Sequence, residues 1–249
     1  MENSILLNHI QVSEREEAEI RKHSNTNRRS RFKDAPWLKE SSFKMIIGGA
    51  GGIGSWFAML AARSLPNAMI SVYDFDLIET HNIGGQLFSG LQVGMSKVSA
   101  IQDLIRSYAN MEVASFSCKY TSNDYASYMV SCFDNMEARQ LMFDTWCSRG
   151  YDKGMFVDGR LLAEQFEVYF VPAGDREAIK KYRERLFKDS EVEDAPCTMK
   201  QTSHYAAMIA ATMVAGITNY ISTLNTKEAM REIPFCVKTY GELFLTSVQ

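Results

Sequence analysis

The sequence predicts an α/β protein: a Rossmann-like, doubly wound and mostly parallel sheet, closed by a C-terminal helix and an antiparallel strand extension. Three observations predict it. From Phe43 onward, short runs rich in Val, Ile, Phe and Tyr alternate with segments whose apolar residues recur every three to four positions. The first run, Met45-Ile46-Ile47, passes into the glycine-rich turn Gly49-Ala50-Gly51-Gly52-Ile53-Gly54 and then into a helical segment. An acid, Asp74, stands about 20 residues beyond that turn, at the end of the next strand.

The elements follow in order. Residues 1–42 form an N-terminal charged arm or helix. Glu14, Glu16, Glu17 and Glu19 cluster, and Arg21, Lys22, Arg28, Arg29, Arg31 and Lys33 follow without an acid among them. Such charge blocks read as a solvated leader, or as an arm that sets an arginine against a phosphate. Strands are predicted over 43–48, 68–73, 113–118, 128–132, 154–158 and 166–171. Helices are predicted over 53–64, 97–109 and 136–149, and strands spaced by helices of this length make a doubly wound sheet. After Pro172 comes a charged helix over 175–188 inside a crossover segment, about 173–202, that ends in the acidic run before Pro196. The helix over 203–224 is rich in Ala and Met, and Ala207, Ala211 and Ala215 allow close approach of another helix or subunit. Two strands, 235–240 and 242–247, are joined at Gly241.

Composition narrows the function. The chain has 249 residues, 46% of them hydrophobic, which is enough for one large core with appendages. A net charge of −3 gives no general affinity for nucleic acid. The longest apolar stretch, Ala206 to Ile217, falls short of the roughly 20 residues that span a bilayer. The 5 cysteines contain no CxxC pair, so zinc is not expected. Their odd number and the lack of a secretory leader point to a reducing, cytoplasmic setting. Cys132 and Cys147 are expected to be buried, and Cys118 and Cys236 to be structural.

The glycine turn carries chemistry because phosphate needs backbone N–H groups at close range, with a helix N-terminus behind them. Gly49, Gly51, Gly52 and Gly54 stand where such a cradle requires them. On its own the turn fits NAD, FAD or ATP. Asp74 is placed to hold ribose hydroxyls, as well as being an ordinary turn acid. Further on come Asp76, then Asn82 and Gln86, then Lys97 at a helix start, and Cys132-Phe133-Asp134-Asn135 at the end of a strand. Taken singly, Lys97 reads equally as a surface lysine and Asp134 as a helix N-cap.

The ordered set Gly49–Gly54, Asp74-Phe75-Asp76, Asn82-Ile83-Gly84-Gly85-Gln86, Gly94-Met95-Ser96-Lys97, and Asp134-Asn135 with Arg139 resembles the ubiquitin-activating-enzyme-like adenylyltransferases, the ThiF/MoeB group. The likeness covers roughly residues 34–224 and makes 43–249 a ThiF-like adenylation domain. It implies that ATP and Mg²⁺ are used to activate the C-terminal carboxylate of a small ubiquitin-like or sulfur-carrier protein, one ending in Gly-Gly, as acyl-AMP with release of pyrophosphate. Asp74 would then hold the ribose, Lys97 the phosphates and Asp134 the magnesium. Asp76, Asn82 and Gln86 would line or position the nucleotide site. A homodimer is also implied.

The sequence departs from the family at one point. Gly85 stands where the family carries an arginine, a charge-assisted phosphate contact of about 1.5–3 kcal/mol. Arg28, Arg29 or Arg31 is a candidate replacement. The alternative is a non-catalytic nucleotide-binding scaffold of the same family. A nicotinamide oxidoreductase would explain the glycine turn and Asp74, but not Asn82, Gln86, Lys97 and Asp134 together. Cys197, in Ala195-Pro196-Cys197-Thr198-Met199-Lys200, occupies the place where many relatives form a covalent adduct, and Lys200 nearby would favour its thiolate. His204, with no second metal ligand beside it, reads as a capping or packing residue.

Overall fold

Strands rich in branched and aromatic residues, buried on both faces, build the centre of the protein. A computed structural model describes residues 30–188, 202–226 and 231–249. The chain divides into two units, Met1–Ala35 and Pro36–Gln249. Of the first, only a 3-10 turn at Ser30–Phe32 and the residues just after it are described.

The second unit contains an eight-stranded sheet in the order β3-β2-β1-β4-β5-β6-β7-β8. Its parallel half comprises β1 (Phe43–Gly48), β2 (Ala68–Tyr73), β3 (Ala114–Phe116), β4 (Tyr128–Ser131) and the first part of β5 (Met155–Leu162). Its antiparallel half adds β6 (Gln165–Pro172), β7 (Cys236–Tyr240) and β8 (Leu245–Val248). The expected fold class is therefore the observed one, and the expected strands recur within a few residues of their predicted bounds. The helices are α1 (Gly52–Ser64), α2 (Lys97–Ala109), α3 (Met136–Ser148), α4 (Arg176–Arg183) and α5 (Ser203–Asn225).

The period-two alternation of the strands sorts their side chains into two layers. Met45, Ile47, Val130, Val157 and Val168 face one core with α1, α2 and α5. Ile46, Met129, Phe156 and Val171 face the other with α3 and α4. α5 has 23 residues and no Lys, Arg, Asp or Glu. By length and composition alone it could cross a membrane, and it outruns the apolar stretch read from the sequence. In the fold it is a core helix. Ile209, Met213, Ile217 and Ile221 are fully buried, and Gly216 lets the helix close on β6, where an added Cβ would lie 2.0 Å from the Phe170 ring.

Two departures from the predicted elements matter for function. β5 does not stop at Asp158. Residues Gly159–Leu162 run on past the end of β4 and turn back into β6 through Ala163, which takes a left-handed conformation (φ 55°). The antiparallel half thus continues beyond the carboxyl edge of the parallel half. The strand predicted over 113–118 is shorter. It leaves Cys118 past its end and exposed, against the structural role expected of it; among the described residues β3 lies at the edge of the sheet.

Candidate active site

In open α/β sheets, ligands settle outside the carboxyl ends of the strands, where the strand order reverses. Here that point lies between β1 and β4, and the glycine turn, Asp74 and the Phe133–Asn135 loop all leave the sheet at that edge.

The turn is built by sterics. Gly49 has φ +92°, and a Cβ there would lie 2.7 Å from the Cys132 carbonyl oxygen. A Cβ on Gly54 would lie 1.9 Å from the Gly49 carbonyl oxygen, so α1 can start this close to the strand only with glycine. Gly51 differs: nothing lies within 4 Å of its Cβ position. It is also the N-cap of α1, and no side chain caps that helix start. The first amides of α1, among them Gly52, Ile53 and Gly54, thus have no side-chain cap among the described residues, which leaves them for an anion to meet.

Asp74 closes the cradle. Its carboxylate accepts from the Ala50 N–H at 2.7 Å and from the Asp76 N–H at 2.8 Å. Burial pushes this carboxyl above its ordinary value, although those two N–H groups and Lys97 pull the other way. Asp76 sits beyond it, half-exposed, with its carboxylate 2.7 Å from Lys97 Nζ. A short antiparallel strap holds this pair. Leu77 bridges Ser96, the Lys97 N–H donates to the Asp76 carbonyl at 3.1 Å, and Gly94 turns the strap at φ +87°. Lys97 is the first residue of α2, and its side chain is only 8% exposed. A buried cation at a helix N-terminus is unfavourable on both counts.

The two amides expected at the nucleotide play different parts. Asn82 is buried and its Oδ1 accepts from the Glu79 N–H at 2.9 Å, so it shapes the 79–82 turn. Gln86 follows with its Oε1 buried and, among the described residues, without a hydrogen-bond partner. Ser55 Oγ accepts from the Leu87 N–H at 3.0 Å, and Ser203 Oγ donates to the Gly84 carbonyl, so this loop is tied to α1 and to the start of α5. Gly85, in place of an arginine, is buried within it.

Asp134 is exposed at the end of β4. The N-cap of α3 is its neighbour Asn135, whose Oδ1 accepts from the Ala138 N–H at 2.9 Å. The alternative reading of Asp134 as the cap is thereby removed; its Oδ1 accepts from Asn135 Nδ2 at 3.2 Å, at an exposed position a ligand can reach. Magnesium bound mainly through phosphates needs one or two carboxylates from the protein. Among the described residues no group of three or more His, Cys, Asp or Glu is arranged to hold a metal. A single exposed acid, Asp134, at the carboxyl edge of the sheet fits magnesium held mainly through phosphates.

A match to the ThiF family model extends over residues 25–237. The chain belongs to the ThiF family. Its fold is also that of solved structures at low identity. E. coli MccB, crystallised with ATP, matches at 17% identity and a TM-score of 0.64, over 96% of this chain and 79% of MccB. PaaA matches at 16% identity and a TM-score of 0.65, over 100% of this chain and 77% of PaaA. E. coli MccB with AMPCPP and MccA matches at 16% identity and a TM-score of 0.64. ThiF membership supports adenylyl transfer of the ThiF/MoeB type as the general chemistry, and ATP as the nucleotide bound within the family.

In this ThiF-family chain, Cys197 lies outside the described residues, as do Arg28, Arg29 and Met199, while Arg31 belongs to the first unit. Burial pushes the thiols of Cys132 and Cys147 up, and that of Cys236 up to about 11, so these three are poor nucleophiles. His204 is exposed and rests against the Tyr205 ring. A cavity of about 430 Å³ is lined by Lys181, Glu184, Arg185, Phe235 and Gln249 and shares no residue with the glycine cradle.

Sequence reasoning missed a buried charge cluster directly behind Asp134. Asp158 is fully buried and accepts from Arg139, from Arg160 Nε at 2.7 Å and from the Tyr182 hydroxyl at 2.9 Å. Burial alone would raise its carboxyl, but the charges of Arg139 and Arg160 hold it below the usual range. The available signal was Asp158-Gly159-Arg160, two charges inside an otherwise apolar strand.

Proposed function

We propose that the protein adenylates a carboxylate with ATP. Asp74 accepts hydrogen bonds from the ribose hydroxyls, and the uncapped amides at the start of α1 face the phosphates. Lys97 exchanges Asp76 for a phosphate oxygen as the nucleotide enters. Asp134 is the residue that would hold Mg²⁺, which when bound would neutralise charge on the triphosphate. The attacking carboxylate forms a bond to the α-phosphorus. The bond from that phosphorus to the bridging oxygen breaks, and its electron pair leaves on pyrophosphate. The observation that carries this reading is the Lys97–Asp76 pair, a buried cation held at the mouth of an uncapped glycine cradle. A triphosphate presents more negative charge to that lysine than a nicotinamide dinucleotide does.

The carboxylate belongs, on this reading, to a small protein or peptide, as the crystallisation of MccB with MccA supports. A carrier ending in Gly-Gly is one such partner. The cytoplasm is the proposed setting. A homodimer is proposed through the outer stripe of α5, where Met208, Ala211 and Ala215 are exposed without a charge among them. Cys197 would take over the acyl group in a second step, its thiolate sulfur bonding to the acyl carbon as the bond from that carbon to AMP breaks and AMP leaves.

Exchange of labelled pyrophosphate into ATP tests the reaction, with Mg²⁺ and synthetic peptides of varied C-terminus, Gly-Gly among them. Label entering ATP, and lost on Lys97→Ala, is the expected result. Gly85 favours a second reading, a nucleotide-binding scaffold. Tight ATP binding with no exchange for any peptide would establish that one instead.

A further inference from the structure

Arg139 does more than neutralise Asp158. Its second guanidinium nitrogen donates to the Phe133 carbonyl, the peptide group that leads into Asp134, and its first also reaches the Gly159 carbonyl at 3.1 Å. On the far side of the same carboxylate, Arg160 donates through Nη1 to the Arg185 carbonyl at 2.9 Å, where the chain leaves α4. The Arg160 guanidinium lies over the Tyr169 ring at 4.8 Å, with Tyr182 and Phe187 also against it. Asp158 therefore links two loops on different elements, the Asp134 loop between β4 and α3 and the segment after α4. Its two oxygens are divided between them: Oδ1 takes Arg139, while Oδ2 takes Arg160 and Tyr182.

Two arginines on one carboxylate are more than neutrality needs, and desolvating the second is costly. Among the described residues, Arg160 Nη2 is buried and has no hydrogen-bond partner. A cluster built only to fill the core would be served by apolar residues of similar volume. What the second arginine adds is geometry, because its planar fork fixes the carboxylate that in turn fixes Arg139.

We propose that Asp158 and Arg160 are positioning residues, which hold Asp134 in place through Arg139 and couple its loop to the segment leaving α4. The catalytic consequence rests on the adenylation reading given above; the coupling itself does not. With Arg160 removed, Oδ2 loses its charged partner, the carboxylate can rotate, and the grip of Arg139 on the Phe133 carbonyl loosens.

Amide hydrogen exchange on the full chain, without nucleotide, tests the coupling. In Arg160→Met, exchange is expected to rise about tenfold at residues 134–136 as well as at 185–187, although position 160 touches only the second segment directly. Arg160→Lys keeps a cation for Asp158 but loses the planar fork and the reach to Arg185, so 185–187 should loosen and 134–136 should loosen with it, less than in Arg160→Met. Tyr182→Phe, which removes one hydrogen bond and keeps the ring, gives the same reading at 134–136, in smaller measure, if Arg160→Met does not fold. Exchange at 134–136 that stays at the wild-type rate in Arg160→Met, or in Tyr182→Phe in its place, would overturn the proposal. In pyrophosphate exchange, Arg160→Met should lower kcat about tenfold with KM for ATP nearly unchanged, since the ribose end at Asp74 is untouched. A wild-type protein without exchange activity that still showed the coupled amide pattern would remove the adenylation reading and leave the coupling standing.

Discussion

At Lys97 two unfavourable placements coincide, a buried ammonium and a cation in the first turn of a helix. Asp76 offsets them in the free protein, and a phosphate would offset them in the complex. Lys97→Ala should therefore leave the fold intact while removing a charge-assisted contact of about 1.5–3 kcal/mol, a ten- to hundredfold loss in pyrophosphate exchange. Thermal unfolding and exchange kinetics together check both halves. Asp158 behaves differently, because its role lies in the fold. Its carboxyl is held below the ordinary value of 3.8, so its stabilising contribution is complete above that pH and is lost as pH falls through the lower folded value. Asp158→Asn leaves Arg139 and Arg160 without a countercharge and should cost about 3–5 kcal/mol near neutral pH. It should also flatten the acid limb of stability against pH below 3.8, measured by denaturant titration. Asp74 has the opposite sign. Its carboxyl is raised, so its ionisation opposes folding as pH rises through the folded value, and nucleotide held by the ionised form should weaken as pH falls through that same value.

At the level of elements, the glycine turn separates fold from function within a few residues. Gly54→Ala drives a methyl group into the Gly49 carbonyl and should destabilise the protein by about 1–3 kcal/mol or more. Gly51→Ala meets nothing within 4 Å, so unfolding should be nearly unchanged while ATP binding weakens, because the methyl would occupy the space offered to phosphate. Calorimetry of unfolding and of ATP binding on the two variants distinguishes them. The strands and helices that carry this turn were legible in the sequence because their signals are local: period-two runs for β1 and β2, three-to-four spacing for α2 and α3, and a strand–glycine–helix order that the backbone can satisfy in few ways. The continuation of β5 was not legible. Asp158-Gly159-Arg160 interrupts the apolar pattern, and the residues that make those charges tolerable, Arg139 and Tyr182, come from α3 and α4. Nor does any local signal say whether Asp134 or Asn135 caps α3; only the geometry of the turn decides it.

Over the whole molecule, the parallel half of the sheet supplies the cradle, and the antiparallel half continues beyond it on the side of Asp134. The two halves meet at Asp158, which pairs with Ser131 of β4 on one side and Tyr169 of β6 on the other. That junction explains why a charge cluster sits at the middle of an otherwise apolar sheet. α5, without a charged residue along its length, seals α1 to β5 and β6 and leaves a narrow uncharged stripe outside. If two copies meet there, Met208→Glu should shift the protein toward monomer in sedimentation with its unfolding transition kept. The central claim is that this edge of the sheet grips a triphosphate. A crystal structure with Mg²⁺ and a non-hydrolysable ATP analogue tests it most directly. Ribose hydroxyls are expected on Asp74, phosphates over the start of α1, and Lys97 Nζ moved from Asp76 to a phosphate oxygen, with Asp134 toward the metal. A nucleotide seated elsewhere, or one seated here with Lys97 and Asp134 turned away from its phosphates, would contradict it.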